Sequence, residues 1–257
     1  MEMLSSKITI IVMSCDSYSD IWKYFVMCLD KYWNNKDIKR LLVTDTIVGP
    51  IDGFSTVVSC GSNLQWTDRL SRAIDKVETP YILLLLEDFF LKNTIDENIY
   101  CEIVDKMDEY NIGVFKLMPD IGKGIVWSKD NQYLLYEKGQ PYRISTLPSI
   151  WNKSYLKKLT GVSNSAWQFE REITYYSNQF DEMVLGISGN AFIYAHAIKR
   201  GKWQDEGLDL LKQIGIEIDF SVRKKRNLFD KIRQIIIDFV FNLSPELVVR
   251  LQNKLSQ

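Results

Sequence analysis

Glu87 and Asp88 stand directly after an apolar run, where two acids are hard to explain by folding alone. Residues 81–86 have the sequence Tyr-Ile-Leu-Leu-Leu-Leu. A short apolar run without polar alternation predicts a strand buried on both faces of a sheet. An unpaired buried carboxylate is unfavourable, so both acids fit the strand's end, where the backbone opens into a cleft. We predict them to be cleft residues; the alternative is a strand-end cap or a salt bridge to a nearby Lys or Arg.

Other side chains could bind anions or metal ions. Asp16 follows the first predicted strand, where an aspartate also commonly starts a turn. Arg69 lies on a predicted helix and either faces solvent or makes a charge-assisted contact with an anion. His196 is the single histidine, which excludes a multi-histidine metal site in one chain; a packed histidine is the simpler interpretation. Arg200 and Lys202 form a basic turn or a diphosphate contact.

Composition limits the classes of protein. The chain has 257 residues, of which 46% are hydrophobic and 25% charged, as in a globular protein with one large α/β domain. Its net charge of −1 argues against a nucleic-acid partner. Residues 221–257 carry a net charge of +5, so we predict two parts: 1–220, and a basic amphipathic helical segment 221–257.

The cysteines and the apolar runs predict a cytoplasmic protein. The four cysteines form no C-x-x-C pair, so they indicate neither a zinc ribbon nor a thioredoxin motif, and they fit reduced thiols. The N-terminus lacks the charge cluster of a signal peptide. No stretch reaches the roughly 18 apolar residues that a spanning helix needs.

The pattern of the first 90 residues predicts the order β-α-β-β-α-β. Strands are expected at 7–14, 39–44, 54–60 and 81–86, and helices at 21–33 and 66–77. This alternation predicts a largely parallel sheet with helices on its faces. Neither G-x-G-x-x-G nor G-x-x-x-x-G-K-[ST] occurs, so a classical dinucleotide or Walker site is not supported.

The second half is less regular. We expect a helix at 95–109, a strand at 112–118, loops at 119–140, an extended segment at 142–151, a short helix at 152–159 and a strand at 190–198. Beyond the basic run 223–226, apolar residues recur at helical spacing up to Leu243, and a final helix is expected at about 247–255.

Five stretches together resemble GT-A-type glycosyltransferases, in particular the bacterial enzymes that build capsule, O-antigen and related surface polysaccharides. The stretches are IIVMSCDSYSDIW (10–22), WTDRL (66–70), YILLLLEDFFL (81–91), SAWQFE (165–170) and RGKW (200–203). The resemblance covers about residues 7–203. It implies a GT-A-like, Rossmann-like α/β fold: a mostly parallel central sheet flanked by helices, here followed by C-terminal amphipathic helices.

The resemblance also implies a reaction and its substrates. Such an enzyme moves a sugar from a nucleotide-diphosphate sugar to a glycan acceptor that is commonly lipid-linked. Its first-strand loop holds the nucleotide, which assigns Asp16 and Tyr18 to donor binding, together with Arg69, Glu87, Asp88 and Lys202.

Glu170 is the candidate catalytic base by this resemblance; the alternative is an ordinary surface helix start. An inverting transfer needs a carboxylate within hydrogen-bond reach of the acceptor hydroxyl. Trp167 and Phe169 beside it would offer aromatic faces to the acceptor sugar. A retaining outcome stays open.

A divalent metal is the candidate cofactor. The family's Asp-x-Asp element shares one Mg²⁺ or Mn²⁺ with the donor, and here the residues are Glu87, Asp88 and Phe89. Adjacent strand side chains point to opposite faces, so Glu87 and Asp88 share a metal only if the chain bends between them. His196 is a candidate third ligand. Without such a bend, metal-independent transfer stays open.

The C-terminal segment has three interpretations. It packs on the catalytic domain, it forms a homodimer interface, or it lies in the plane of the inner face of the cytoplasmic membrane as a peripheral anchor. The rival functions are a non-catalytic binding or scaffold protein on a degenerate transferase fold and a nucleotidyltransferase. The second needs a glycine-rich loop after the first strand, and residues 15–20 contain no glycine.

Overall fold

The computed structural model describes residues 3–120, 124–162 and 164–227. Its strands are β1 (Ile8–Met13), β2 (Arg40–Thr44), β3 (Thr56–Ser59), β4 (Tyr81–Leu86), β5 (Phe89–Leu91), β6 (Ile112–Lys116), β7 (Ile125–Trp127), β8 (Asp130–Leu135), β9 (Ser149–Asn152), β10 (Met183–Ile187), β11 (Tyr194–His196), β12 (Ile198–Lys199) and β13 (Lys202–Trp203). Its helices are α1 (Leu4–Lys7), α2 (Ser19–Tyr32), α3 (Trp66–Ile74), α4 (Glu97–Glu109), α5 (Lys153–Leu159), α6 (Ala166–Gln168), α7 (Thr174–Tyr176) and α8 (Asp205–Gln213). A π-helix (Phe169–Ile173) joins α6 to α7.

In the described part of the chain, the central sheet has nine strands in the order β3-β2-β1-β4-β9-β6-β10-β8-β7. Strands β8 and β9 run against the others. The prediction of a mostly parallel, Rossmann-like sheet flanked by helices is confirmed. The predicted order β-α-β-β-α-β holds from β1 to β4, preceded by the short helix α1, which was not expected.

Strands β1 and β4 are adjacent interior strands of this sheet, and nearly all of their residues are buried. They pair in parallel from Ile8 opposite Tyr81 to Met13 opposite Leu86, so both end at the same level. Strand β2 ends beside β1, and the antiparallel β9 begins at Ser149, opposite Lys116 at the end of β6. We call this side of the sheet, where β1, β2, β4 and β6 end and β9 begins, the carboxyl edge.

The segment 119–140, expected to be rich in loops, also contains β7 and β8, which were not expected. Their sequence does not alternate: β8 begins with three polar residues, and Ile125 and Val126 of β7 are exposed at the sheet's edge. Strand β10 was also missed. The extended segment 142–151 forms a strand only at its end, as β9, and the predicted strand 190–198 is divided into β11 and β12.

The described residues divide into two compact units between Ala195 and His196, whereas the predicted boundary lies at residue 220. The second unit contains the β12–β13 hairpin and α8. The predicted helices beyond residue 227 lie outside the described residues. Among the helices that are described, none is long and apolar enough to cross a membrane.

Much of the basic run 223–226 is engaged within the second unit. Arg223 is buried and donates to the Gly201 carbonyl at 3.0 Å. Lys225 pairs with Asp205 at 3.1 Å, and Arg226 donates to the Gln204 side chain at 2.9 Å. These contacts occupy charges that the membrane interpretation assigns to lipid headgroups.

Candidate functional site

Asp16 closes the loop after β1. Its carboxylate accepts hydrogen bonds from the backbone amides of Asp45 (3.0 Å), Thr46 (2.9 Å) and Ile47 (3.2 Å) and from the Thr46 hydroxyl (2.5 Å). The Asp16 amide in turn donates to Asp45 at 3.1 Å. Burial acts to raise the pKa of Asp16, but these hydrogen bonds outweigh it and hold the pKa below its ordinary value. Asp16 therefore ties the β1 loop to the β2 loop.

Arg69 extends this arrangement from α3. Its guanidinium donates to the Ser14 carbonyl at 3.0 Å and forms a salt bridge with Asp45. Its Nε is buried and has no hydrogen-bond partner among the described residues. We call Asp16, residues 45–47 and Arg69 the loop network. The network places one guanidinium at the carboxyl edge, as an anion-binding role for Arg69 requires.

Glu87 and Asp88 form a two-residue turn between β4 and β5. The chain bends there because β5 leaves the central sheet and pairs with β11. Glu87 is 8% exposed and Asp88 is half-buried. The bend that a shared metal ion requires is therefore present at the carboxyl edge.

Cys15 lies in the loop after β1 and is half-buried. Burial raises the pKa of its thiol, the Ser17 hydroxyl acts in the opposite direction, and the charges of Glu87 and Asp45 raise it further. The four cysteines are free in this structure.

Glu170 lies on the π-helix at the other end of the site. Its Oε1 accepts hydrogen bonds from the Thr146 amide at 2.8 Å and the Thr146 hydroxyl at 2.6 Å. Thr146 shortly precedes β9, which begins at the carboxyl edge. A carboxylate held on one oxygen keeps its second oxygen for another contact.

A cavity of about 330 Å³ lies beside Glu170. We call it the Glu170 cavity; it is lined by Pro141, Tyr142, Glu170, Arg171, Glu172, Thr174 and Tyr175. Tyr142 and Tyr175 are 36% and 62% exposed, so they present aromatic surface to solvent there. A ring-shaped polar molecule could contact both an aromatic face and a carboxylate.

The expectation for Phe169 is wrong. Phe169 is fully buried and packs on Trp66 and Trp151, with ring centroids 5.2 and 6.2 Å away. An enclosed ring offers no face to a sugar. Trp167 is 52% exposed, but the Arg171 guanidinium lies over its ring at 4.7 Å. Tyr142 and Tyr175 were missed: Tyr142 is 28 positions before Glu170, and Tyr175 follows Glu170 outside the stretch 165–170.

Helix α3 connects the two regions. Its residue Thr67 exchanges hydrogen bonds with Asn164, at 3.0 Å from the Thr67 amide and 2.7 Å to the Thr67 hydroxyl. The chain then enters α6, which Ser165 and Gln168 begin with a reciprocal capping box. Since Arg69 lies on the same helix, the loop network and the Glu170 segment share one support. The S-x-x-Q spacing at 165–168 could have placed this helix start from sequence.

The second unit holds two further candidates. Lys202 lies on β13, and His196 is an exposed residue at the end of β11. In the described ranges, no group of three or more His, Cys, Asp and Glu side chains is arranged to hold a metal ion. Glu87, Asp88 and His196 as metal ligands stay predictions. Donor contacts of Tyr18 and Lys202 stay predictions.

Comparisons with known proteins show the fold. No protein-family model and no curated protein sequence matches the chain. Staphylococcus aureus TarS 1–349 in complex with UDP-GlcNAc matches with a TM-score of 0.52 and 15% identity, over 83% of this chain and 68% of that one. CMP:2-keto-3-deoxy-manno-octonic acid synthetase complexed with CTP matches with a TM-score of 0.50 and 14% identity, over 81% and 97%.

Other matched chains are longer. This chain spans 50% of bifunctional IspDF from Campylobacter jejuni and 40% of a longer TarS chain. The chain has the α/β Rossmann-like fold of the UDP-GlcNAc-bound TarS structure and of the CTP-bound synthetase structure.

Proposed function

We propose that this protein is a glycosyltransferase that moves a sugar from a nucleotide-diphosphate sugar to a hydroxyl of a glycan acceptor, commonly a lipid-linked one. The observation that carries the proposal is Glu170: one oxygen is fixed by Thr146, and the residue lines an open cavity with exposed tyrosines. The proposed setting is bacterial surface polysaccharide assembly, such as capsule or O-antigen, which rests on the sequence resemblance.

The loop network and the Glu87–Asp88 turn would bind the donor. The UDP-GlcNAc held by the similarly folded TarS supports a nucleotide sugar as the donor class. The Arg69 guanidinium suits a diphosphate oxygen, since charge-assisted hydrogen bonds are the stronger ones. Asp16, Asp45, Glu87 and Asp88 would repel the same diphosphate.

That repulsion favours a divalent cation with the donor. Asp88, with Glu87, would hold Mg²⁺ or Mn²⁺, which neutralises the leaving diphosphate; such ions commonly bind one or two carboxylates plus substrate phosphates.

The Glu170 cavity would bind the acceptor. Glu170 takes the proton from the acceptor hydroxyl as its oxygen bonds to the anomeric carbon. The bond from that carbon to the diphosphate oxygen breaks at the same time, and the diphosphate leaves with the electron pair. A single displacement of this kind inverts the anomeric configuration. Positioned general bases contribute about 10²–10⁴-fold to a rate.

The test compares Glu170→Gln with wild type and with Glu137→Gln, a control at an exposed site. Nucleotide binding is measured by thermal shift with UDP-, GDP-, ADP- and dTDP-sugars, each with and without Mn²⁺. Transfer is measured as nucleotide release with lipid-linked glycan acceptors. We expect Glu170→Gln to bind the donor normally and to lose at least about 100-fold in kcat. Unchanged turnover would refute Glu170 as base, and a wild type that binds no nucleotide would favour the scaffold alternative.

A nucleotidyltransferase is the second candidate, because the CTP-bound synthetase matches along 97% of its length. It would join a nucleotide to a sugar with release of pyrophosphate. The loop after β1 argues against a nucleotidyltransferase, because a triphosphate-binding loop is rich in glycine and this loop has none. Asp16 of this loop also binds the backbone amide of Asp45 in the neighbouring loop. Stabilisation by CTP or another triphosphate, with pyrophosphate release on adding a sugar, would select this candidate.

A further inference from the structure

Lys116 and Asp120 are buried charges that the proposed transfer does not use. Lys116 ends β6 with 1% of its side chain exposed, and the Asp120 side chain is 2% exposed. The ammonium lies 2.7 Å from the Asp120 carboxylate and 4.0 Å from the centroid of the Tyr136 ring. A buried ion pair is weak as a source of stability, because desolvation offsets most of the attraction. Stability alone therefore gives little reason for this pair.

The Lys116 ammonium also holds the wall of the Glu170 cavity. It donates to the Tyr142 carbonyl at 2.8 Å. Tyr142 has φ 57, a left-handed conformation that is unfavourable for a residue with a bulky side chain. Such a conformation persists only where its surroundings fix it. Lys116 supplies one such contact, directly at a residue that lines the cavity.

The residues after Tyr142 are joined to the segment that carries Glu170. Buried Arg143 donates to the Ser177 hydroxyl at 2.7 Å. The Ile144 amide donates to the Thr174 hydroxyl at 3.1 Å, and the Thr146 amide reaches Glu170. Residues 142–146 thus form a strap that fixes Glu170 at one end and is fixed by Lys116 at the other.

From these contacts we propose that the Lys116–Asp120 pair is a positioning device, which holds the strap so that Glu170 and Tyr142 face the same cavity. The inference rests on the proposed function for its catalytic consequence, but not for its structural part. Two further observations agree with it. Burial lowers the pKa of Lys116, while the charges of Asp120 and Glu170 act in the opposite direction. Gly186 of β10 also makes room, since a Cβ there would lie 3.0 Å from the Lys116 Cβ.

The test replaces the pair with apolar groups, as Lys116→Met with Asp120→Leu. The matched control makes the same substitutions, Lys138→Met with Asp181→Leu. These residues form an ion pair 3.4 Å apart, with 46% and 97% of the two side chains exposed. Hydrogen exchange at the Ile144 and Thr146 amides is the first measurement. We expect at least tenfold faster exchange there than in wild type and control, with unchanged exchange in β1. Exchange within twofold of wild type at both amides would overturn the proposal.

The second measurement is transfer kinetics. We expect the donor KM to stay within twofold, while kcat over the acceptor KM falls at least tenfold. The role in positioning Glu170 would be overturned by a donor KM that rises as strongly as kcat over the acceptor KM falls. Unchanged transfer despite faster hydrogen exchange would overturn it as well. If wild type transfers no sugar, the proposed function fails and the exchange result still decides the positioning. Should the apolar pair prevent folding, Asp120→Asn provides the same comparison with an oxygen retained for Lys116.

Discussion

The loop network and the Glu170 cavity lie at the same sheet edge but are held in different ways. In the loop network, the carboxylates of Asp16 and Asp45 bind backbone amides directly after parallel strands. Around the cavity, two buried cations, Lys116 and Arg143, hold an irregular strap that reaches Glu170. Side chains that directly follow neighbouring strand ends fix the first region, whereas side chains that hold an irregular segment fix the second. We therefore expect the loop network to keep its structure when contacts around the Glu170 cavity are removed.

The largest expected effect tests the joint between the two regions. Phe169→Ala removes a fully buried ring that packs on Trp66 at the start of α3 and on Trp151 of β9. Deleting a buried aromatic ring typically lowers the free energy of unfolding by about 3–5 kcal/mol. Denaturant unfolding monitored by circular dichroism measures the loss. The matched variant is Trp167→Ala, two residues away and half exposed, for which we expect less than about 1 kcal/mol. Equal losses in both variants would contradict the core position of Phe169.

A smaller effect is expected from opening the loop network. Arg69→Met leaves the half-buried Asp45 without its salt-bridge partner and removes the contact with the Ser14 carbonyl. We expect the free energy of unfolding to fall by about 1–3 kcal/mol, together with weaker nucleotide binding in the thermal-shift assay. The double variant with Asp45→Asn measures the coupling of the pair.

The control is Arg72→Met, one turn along α3, where the exposed arginine donates to the Cys60 carbonyl at 3.2 Å. It should leave nucleotide binding unchanged. Equal weakening of nucleotide binding by both variants would show that the charge of the helix matters and that the loop network does not.

Sequence reasoning predicted the first region better than the second, for a physical reason. Apolar strands are local patterns, so β1, β2 and β4 and the acids at their ends could be located without a structure. Thr146 binds Glu170 across 24 positions, and Lys116 binds Tyr142 across 26. No local pattern encodes such pairs. Lys116 did carry a signal of the same kind as Glu87, because it is a charge at the end of the apolar run IGVFK.

The aromatic residues show the same limit. Alternation and helical spacing identify apolar residues but not which of two neighbours faces the core. Trp167 and Phe169 were therefore given one role, although the first is exposed and the second enclosed. The turn at Glu87 and Asp88 could be inferred as a requirement for a shared metal, and the departure of β5 from the sheet supplies it.

The smallest expected effect depends on pH and tests whether Asp16 is held as a charged group. Its pKa is lowered in the folded protein from a reference value of 3.8. The carboxylate therefore stabilises the fold fully above that reference value, and this stabilisation is lost as the pH falls through the lower folded pKa.

Asp16→Asn should lower the free energy of unfolding at pH 7 by on the order of 1 kcal/mol, because an amide replaces one accepting oxygen facing backbone donors. The deficit should be constant above about pH 5 and should shrink as the pH approaches 3, as measured by urea unfolding across that range. Asp52→Asn, at an exposed position, should show neither the deficit nor its pH dependence. A deficit of the same size at pH 3 and pH 7 would mean that the shape of the Asp16 side chain, rather than its charge, closes the loop after β1.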